Sequence, residues 1–258
     1  VRKKSSRPGL GLELLSYLVN NKNPRSISAL GLSDNVINIY KFLCYNGGTL
    51  NHYYLVNDSL KDFSLIRNHK YYNNKIKKNE NKLVEINEPI SKINELFLKK
   101  SYIPEKSIQY LYARYLFHPV YNYKIFGIEI ENKIFGLIIV RKVTYNSNTA
   151  LRIVDYFGHD DGLSGIFGEL HRLLQDYDAE YIDFYNIGIE EKILSASGFI
   201  KRDSKCEVII PSYFEPFEKR SVDLIFTYKC ENNFNFSVWI FRLLNLSSCS
   251  ITISLIVV

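Results

Sequence analysis

The chain has 258 residues and a mass of 30.1 kDa, enough for one large domain or two smaller ones. Hydrophobic residues make up 46% and charged residues 23%, while Gly (13), Pro (7) and Cys (4) are sparse; global disorder and the collagen and disulfide-scaffold classes are excluded. A net charge of +6 and a pI of about 8.9 suit an anionic ligand without establishing nucleic-acid binding.

At the N-terminus Arg2, Lys3 and Lys4 lead into polar sequence and not into the apolar stretch of a signal peptide. Methionine is absent altogether, so Val1 reads as an alternative start or the edge of a fragment. Ser6-Arg7-Pro8-Gly9-Leu10-Gly11 forms a glycine-bearing turn. Leu10, Leu14, Leu15 and Leu18 then recur at helical spacing and predict a helix with one apolar face. Ser26 to Leu32 reads as a short buried strand ending in Gly31. Ser33-Asp34-Asn35 is a capping cluster for a second helix with Val36, Ile37, Tyr40 and Leu43 inward. Asn46-Gly47-Gly48 reads as a turn, and Leu50 to Val56 as a strand.

Periodicity weakens from Asp58 to Asn87. Lys75 to Lys82 reads as a solvated loop, with Phe63–Ile66 and Leu83–Ile86 as flanking strands. Helices are predicted over Ile90–Leu98 and Glu105–Leu116. Lys124–Ile130, Ile134–Val143 and Leu151–Phe157, joined by short polar turns, read as an antiparallel meander. A helix at Ser164–Leu174, a strand at Tyr181–Tyr185, a helix at Glu190–Ala196 and strands near Phe199–Arg202 and Val208–Ile210 follow. This order predicts an α/β fold with mixed sheets and flanking helices.

The two halves align without a gap at an offset of 154 residues. Gly11 falls on Gly165, Cys44-Tyr45 falls on Gly198-Phe199, and the strand ending at Leu32 falls on the one ending at Asn186. The copies differ where chemistry would sit. Arg7 faces Asp161, and Tyr40 faces Leu194.

Glycines at the head of a helix let backbone approach a ligand closely, and the unpaired N–H groups there suit a phosphate or pyrophosphate. The plain alternative is a glycine turn before a core helix. A Walker loop is excluded by the missing Gly-Lys-Ser/Thr, and a dinucleotide fingerprint lacks its third glycine. Tyr40, protonated at neutral pH, could act as a general acid toward a departing thiolate, or could be an inner-face core aromatic. His159-Asp160-Asp161 reads as a polar turn before a helix. Cys44, Cys206, Cys230 and Cys249 are scattered and form no Cys-x-x-Cys pair, so no metal site is expected and reduced thiols of a cytoplasmic protein are the default.

Arg7-Pro8-Gly9-Leu10-Gly11, then a strand, then Asn35, Tyr40 and Cys44-Tyr45 resemble the second half of a GNAT N-acetyltransferase domain. That family's Gln/Arg-x-x-Gly-x-Gly/Ala loop is matched at Gly9 and Gly11, but Ser6 holds the Gln/Arg slot and Arg7 stands one place late. The resemblance implies that acetyl-CoA, the co-substrate, lies on the loop formed by Arg7, Gly9, Leu10, Gly11 and Leu12 with Asn35 beside it, and that Tyr40 protonates the CoA thiolate. Residues 95 to 228 resemble the GNAT-like half of bacterial proteins encoded in O-antigen and surface-polysaccharide clusters, through Ala113-Arg114-Tyr115, His118-Pro119-Val120-Tyr121, Leu151 to Gly158, Glu180 to Asn186 and Pro211 to Phe217.

The expected organisation is therefore tandem: residues 1–57 as the C-terminal half of one GNAT domain whose acceptor side is missing, 58–88 as a linker, 89–228 as a second, degenerate copy, and 229–258 as an atypical apolar tail. That tail reads as the product of a reading-frame change, a short membrane helix or a buried strand pair. The implied activity is acyl-CoA-dependent transfer to an amine of a sugar or related precursor, with no nucleic acid, metal or membrane partner. The rivals are a tRNA-dependent aminoacyltransferase of the peptidoglycan type and a non-catalytic remnant.

Overall fold

The computed structural model describes residues 9–24, 26–69, 81–87, 107–203, 207–211 and 220–230. In chain order the elements are α1 (Leu10–Lys22), β1 (Ser26–Leu30), α2 (Asp34–Phe42), β2 (Asn46–Thr49), β3 (Asn51–Val56), β4 (Lys82–Ile86), α3 (Ile108–Leu111), β5 (Tyr123–Ile130), β6 (Lys133–Tyr145), β7 (Asn148–Gly158), α4 (Phe167–Asp176), β8 (Ala179–Asn186), α5 (Glu191–Ala196), β9 (Ile200–Lys201) and β10 (Ile225–Cys230). A π-helical turn, Tyr112–Leu116, continues α3, and a 3-10 turn, Asp160–Gly165, precedes α4. The chain is mixed α/β, as its pattern predicts. Arg7, the helix expected over Ile90–Leu98, Cys206, Cys249 and the apolar tail lie outside the described residues.

The chain divides into two compact units. Unit 1 holds the described residues up to Gly48 together with Ile225–Cys230. Its three-stranded sheet has the order β1-β10-β2, with Ser26 opposite Cys230 and Leu30 opposite Phe226. Leu15, Ile27, Ala29, Leu32, Tyr40 and Tyr45 form its core. Tyr40 sits on the inner face of α2 as its spacing predicts, edge-on to Tyr45 at 5.0 Å. The Asn46-Gly47-Gly48 turn is instead the start of β2. A Cβ at Gly47 would stand 2.4 Å from the Phe226 carbonyl oxygen, so glycine here serves close strand approach. The predicted apolar face of α1 is only partly used. Leu15 is buried, but Leu10 and Leu14 are 43% and 51% exposed. With β1 at the sheet edge, the three strands do not cover the whole stripe.

Unit 2 holds the described residues from Thr49 to Leu224 around a seven-stranded sheet of order β4-β5-β6-β7-β8-β3-β9. β5, β6 and β7 form the expected antiparallel meander. Its turns carry Glu131-Asn132 and Asn146-Ser147, all at positive φ, the backbone that matches the twist of a two-residue hairpin. β7 and β8 are parallel, joined through the 3-10 turn and α4. On one sheet face Leu170, Leu174 and Leu194 of the helices meet Ile138, Ile153 and Phe184. On the other, Leu111 and Tyr115 cover Ile125, Ile139 and Phe157.

The repeat is visible in backbone terms. α1, β1, α2 and β2 recur as α4, β8, α5 and β9. Cys44 and Gly198, related by the 154-residue offset, both adopt left-handed φ values of 61° and 83°. In each copy the strand between the first and last is supplied by the other half of the sequence. β10 fills the slot between β1 and β2, and β3 fills the slot between β8 and β9. The expected boundary at residue 57 thus falls just after β3, whose partners are β8 and β9.

Residues 63–66, read as a strand, are a bend held by a buried carboxylate. Glu180 accepts from the amides of Ser64 (2.9 Å), Leu65 (2.7 Å) and Ile66 (3.2 Å), and Leu65 and Ile66 pack against Tyr54 and Tyr181. Hydrogen bonds to a charged acceptor are worth more than neutral ones. Glu180→Gln, which turns a donor toward those amides, is expected to cost about 2 kcal/mol, read as a lower urea midpoint for the full chain.

Candidate functional site

In unit 1 the predicted loop opens α1. Gly9 caps the helix at φ 85° without a side-chain cap, and its carbonyl accepts from Leu12 and Glu13. Leu10, Gly11 and Leu12 form the first turn and are exposed. A Cβ built at Gly9 or Gly11 would meet nothing within 4 Å among the described residues. Among the described residues, then, nothing covers the glycines at the head of this 13-residue helix, and no side chain caps it. Asn35, the second residue of α2, is exposed. Tyr40 is buried in the unit 1 core, and burial raises its hydroxyl above the ordinary value of 10.0, which keeps its proton on at neutral pH. α1 and α2 thus share one core, with the glycine turn and Asn35 at its surface.

The matching loop of unit 2 is filled by protein. A Cβ at Gly165 would stand 2.6 Å from the Asn81 side chain. Asn81 donates to the Gly162 carbonyl (2.8 Å) and Ser197 Oγ to the Leu163 carbonyl (2.7 Å). His159-Asp160-Asp161 is the predicted polar turn, continuing as the 3-10 turn. Leu163 is a core residue, so the hydrophobic packing there is unsuited to a charge.

Unit 2 has a second feature that spacing did not announce. β7 and β8 pair only as far as Ile153 opposite Phe184, although β7 runs to Gly158 and β8 to Asn186. The register of β6 against β7 slips between Ile139 and Val140, a bulge where the strands part. Asp155 lies there, fully buried. It accepts from the Tyr115 hydroxyl and the Tyr156 amide, each at 2.8 Å. Burial, then the Asp155 charge, push the Tyr115 hydroxyl well above its ordinary range. Asn186, at the far end of β8, is fully buried, and neither its amide nitrogen nor its oxygen has a hydrogen-bond partner among the described residues. Buried polar groups are seldom left so.

A row of charge crosses the same sheet. Arg152 of β7 stands 3.9 Å from Asp183 of β8, and Asp183 lies 3.0 Å from His52 of β3. Arg202, just after β9, donates from Nε to His52 Nδ1 at 3.3 Å and pairs with Asp223. These residues are distant in sequence, and only strand register reveals them. Among the described residues no three His, Cys, Asp or Glu side chains group as metal ligands, and no helix is long and apolar enough to cross a membrane.

No protein-family model and no curated protein matches the chain. Solved structures similar to it include a GCN5-related N-acetyltransferase from Anabaena variabilis (11% identity over 84% of this chain and 49% of that one, TM-score 0.46). Another is a probable N-acyltransferase of otherwise unknown function from Enterococcus faecalis (10%, 88% and 51%, TM-score 0.48). A third is a tandem GNAT protein from the clavulanic acid biosynthesis pathway (13%, 89% and 72%, TM-score 0.46). The chain spans about half the length of the first two. With TM-scores below 0.5, the chain's own topology is the ground for any functional reading.

Proposed function

We propose that the chain is an acyl-CoA-dependent N-acyltransferase of tandem GNAT build, acting on an amine of a sugar or related surface-polysaccharide precursor. The observation that carries the reading is the contrast between two copies of one unit. Among the described residues nothing fills the glycine turn heading α1, while its counterpart before α4 is stoppered by Asn81 and Ser197. An open helix N-terminus is an anion site, and the diphosphate of acetyl-CoA fits it. The sugar amine rests on the resemblance of residues 95 to 228 alone. As duplicated units the copies span residues 1–57 and 89–228, with 58–88 between them contributing β4 to the second copy's sheet and the tail 229–258 starting within the last residues of β10. Each lends one strand to the other's sheet. The edge of β1 that pairs with no strand among the described residues corresponds to the edge of β8 that β7 occupies.

Acetyl-CoA supplies an activated thioester. Residues Gly9 to Leu12, with Arg7 and Asn35, hold its diphosphate end, so that binding energy remote from the reaction orients the carbonyl. The acceptor amine attacks that carbonyl, a C–N bond forms and the C–S bond breaks. Tyr40, kept protonated by burial, gives its proton to the departing sulfur and is restored through water by the proton that the attacking amine sheds.

A second reading is favoured by Asn186. β7 and β8 pair only as far as Ile153 opposite Phe184, and beyond that point the buried Asn186 amide, without a hydrogen-bond partner among the described residues, suits the amide-bearing pantetheine arm of the same substrate.

CoA release from acetyl-CoA, followed with a thiol reagent across a panel of amino sugars, tests the activity. Tyr40→Phe is expected to lower turnover about 100-fold, within the range of general acid catalysis, while KM for acetyl-CoA changes little. Absence of thiol release with every amine contradicts the reading.

A further inference from the structure

The charge row across unit 2 fixes the state of His52. A guanidinium only donates, so Nδ1, which receives Arg202 Nε at 3.3 Å, must be the acceptor nitrogen. A carboxylate only accepts, so Nε2, 3.0 Å from Asp183, carries the proton. The ring is thus a single neutral tautomer, 2% exposed and stacked on Tyr185 at 3.8 Å. The groups facing it are Asp183 and Tyr185 from β8, Arg152 from β7, and Arg202 following β9, which Asp223 pairs from the segment before β10.

We propose that His52 is a pH-sensitive latch on the inserted strand β3. Protonation would place an N–H on Nδ1 against the donating Arg202 nitrogen, breaking that hydrogen bond and setting like charges at contact. Asp183 only partly offsets this, because its carboxylate also faces Arg152. β3 is the neighbour of both β8 and β9, and β9 pairs with nothing else among the described residues. Loosening His52 therefore releases the last two strands of the sheet together.

The sign follows from linkage. Burial, the largest influence, and the two arginines hold His52 below its ordinary value of 6.5, against the opposing pull of Asp183. The unfolded ring takes up a proton as pH falls through about 6.5 while the folded ring does not. The stabilisation is present above that pH and is lost below it, at up to about tenfold in the unfolding equilibrium per pH unit.

Urea unfolding of the full chain between pH 5 and 8 tests the latch. The His52→Gln chain should show a shallower pH dependence than the parent by one proton below pH 6.5. His69, His118 and His171 contribute to both and cancel in the difference. Should His52→Gln fail to fold, the parent alone decides. Its His52 ring, observed by NMR, should remain the neutral Nε2–H tautomer until the Asn51–Val56 amides lose exchange protection. Parallel pH curves for the two chains would overturn the proposal. So would a His52 ring that titrates at or above 6.5 with those amides still protected.

Discussion

Gly198→Ala is expected to destabilise unit 2 by about 3 kcal/mol or more. Gly198 holds φ 83°, and a Cβ there would stand 2.1 Å from the Phe167 ring at the start of α4. The substitution therefore combines left-handed strain with overpacking between α4 and the end of α5. Its counterpart runs the other way. Cys44 occupies the same place in unit 1 at φ 61°, where a side chain is disfavoured. Cys44→Gly should relieve that strain and stabilise unit 1 by up to about 1 kcal/mol. Amide exchange in peptides from each unit separates the two effects. Opposite signs at positions 44 and 198 support a duplicated backbone; equal losses at both do not.

Gly11→Glu is expected to weaken CoA binding about tenfold or more while leaving the fold at least as stable. Gly11 lies inside the first turn of α1, meets no described residue at its Cβ position and has no positive φ. Replacing an in-helix glycine favours the helix, and a first-turn carboxylate complements its dipole. That same carboxylate stands where the diphosphate is proposed to lie. Like-charge repulsion of about 1.4 kcal/mol at a solvated site is a tenfold loss in affinity. Gly9 is the poorer site for this test, since its φ of 85° would strain any side chain. In unit 2 a charge at Leu163 would be buried in the core, so exposed Ser164 is the control. Ser164→Glu should leave CoA affinity unchanged in calorimetry, and equal losses from both variants would refute the asymmetry between the loops.

Much of the fold was legible because its signals are local. The start of α2 at Ser33-Asp34, the meander turns at Glu131-Asn132 and Asn146-Ser147, and the apolar runs of β5 to β8 are all set within a few residues. The repeat was legible because Gly11, Cys44 and Leu32 keep a constant offset. The strand exchange was not, since pairing of β3 with β8 and of β10 with β1 depends on register across more than a hundred residues. Gly47 misread as a turn for the same reason: the closeness of Phe226 that demands glycine is tertiary. At the site, the glycine turn and Tyr40 were read from spacing. His52, Asp183 and Arg202 were not, because a lone histidine on a strand gives no sign of the carboxylate and guanidinium that register brings to it. Asn186 aligns with Leu32, but only burial shows that its side chain lacks a hydrogen-bond partner among the described residues.

Hydrogen exchange of the full chain with and without CoA, read peptide by peptide, tests the central proposal most directly. CoA seated on the head of α1 predicts new protection over Leu10–Leu14 and none over Asp160–Gly165. Protection confined to Val154–Gly158 and Tyr185–Asn186 would move the ligand to the gap between β7 and β8, and no protection anywhere would contradict an acyl-CoA enzyme.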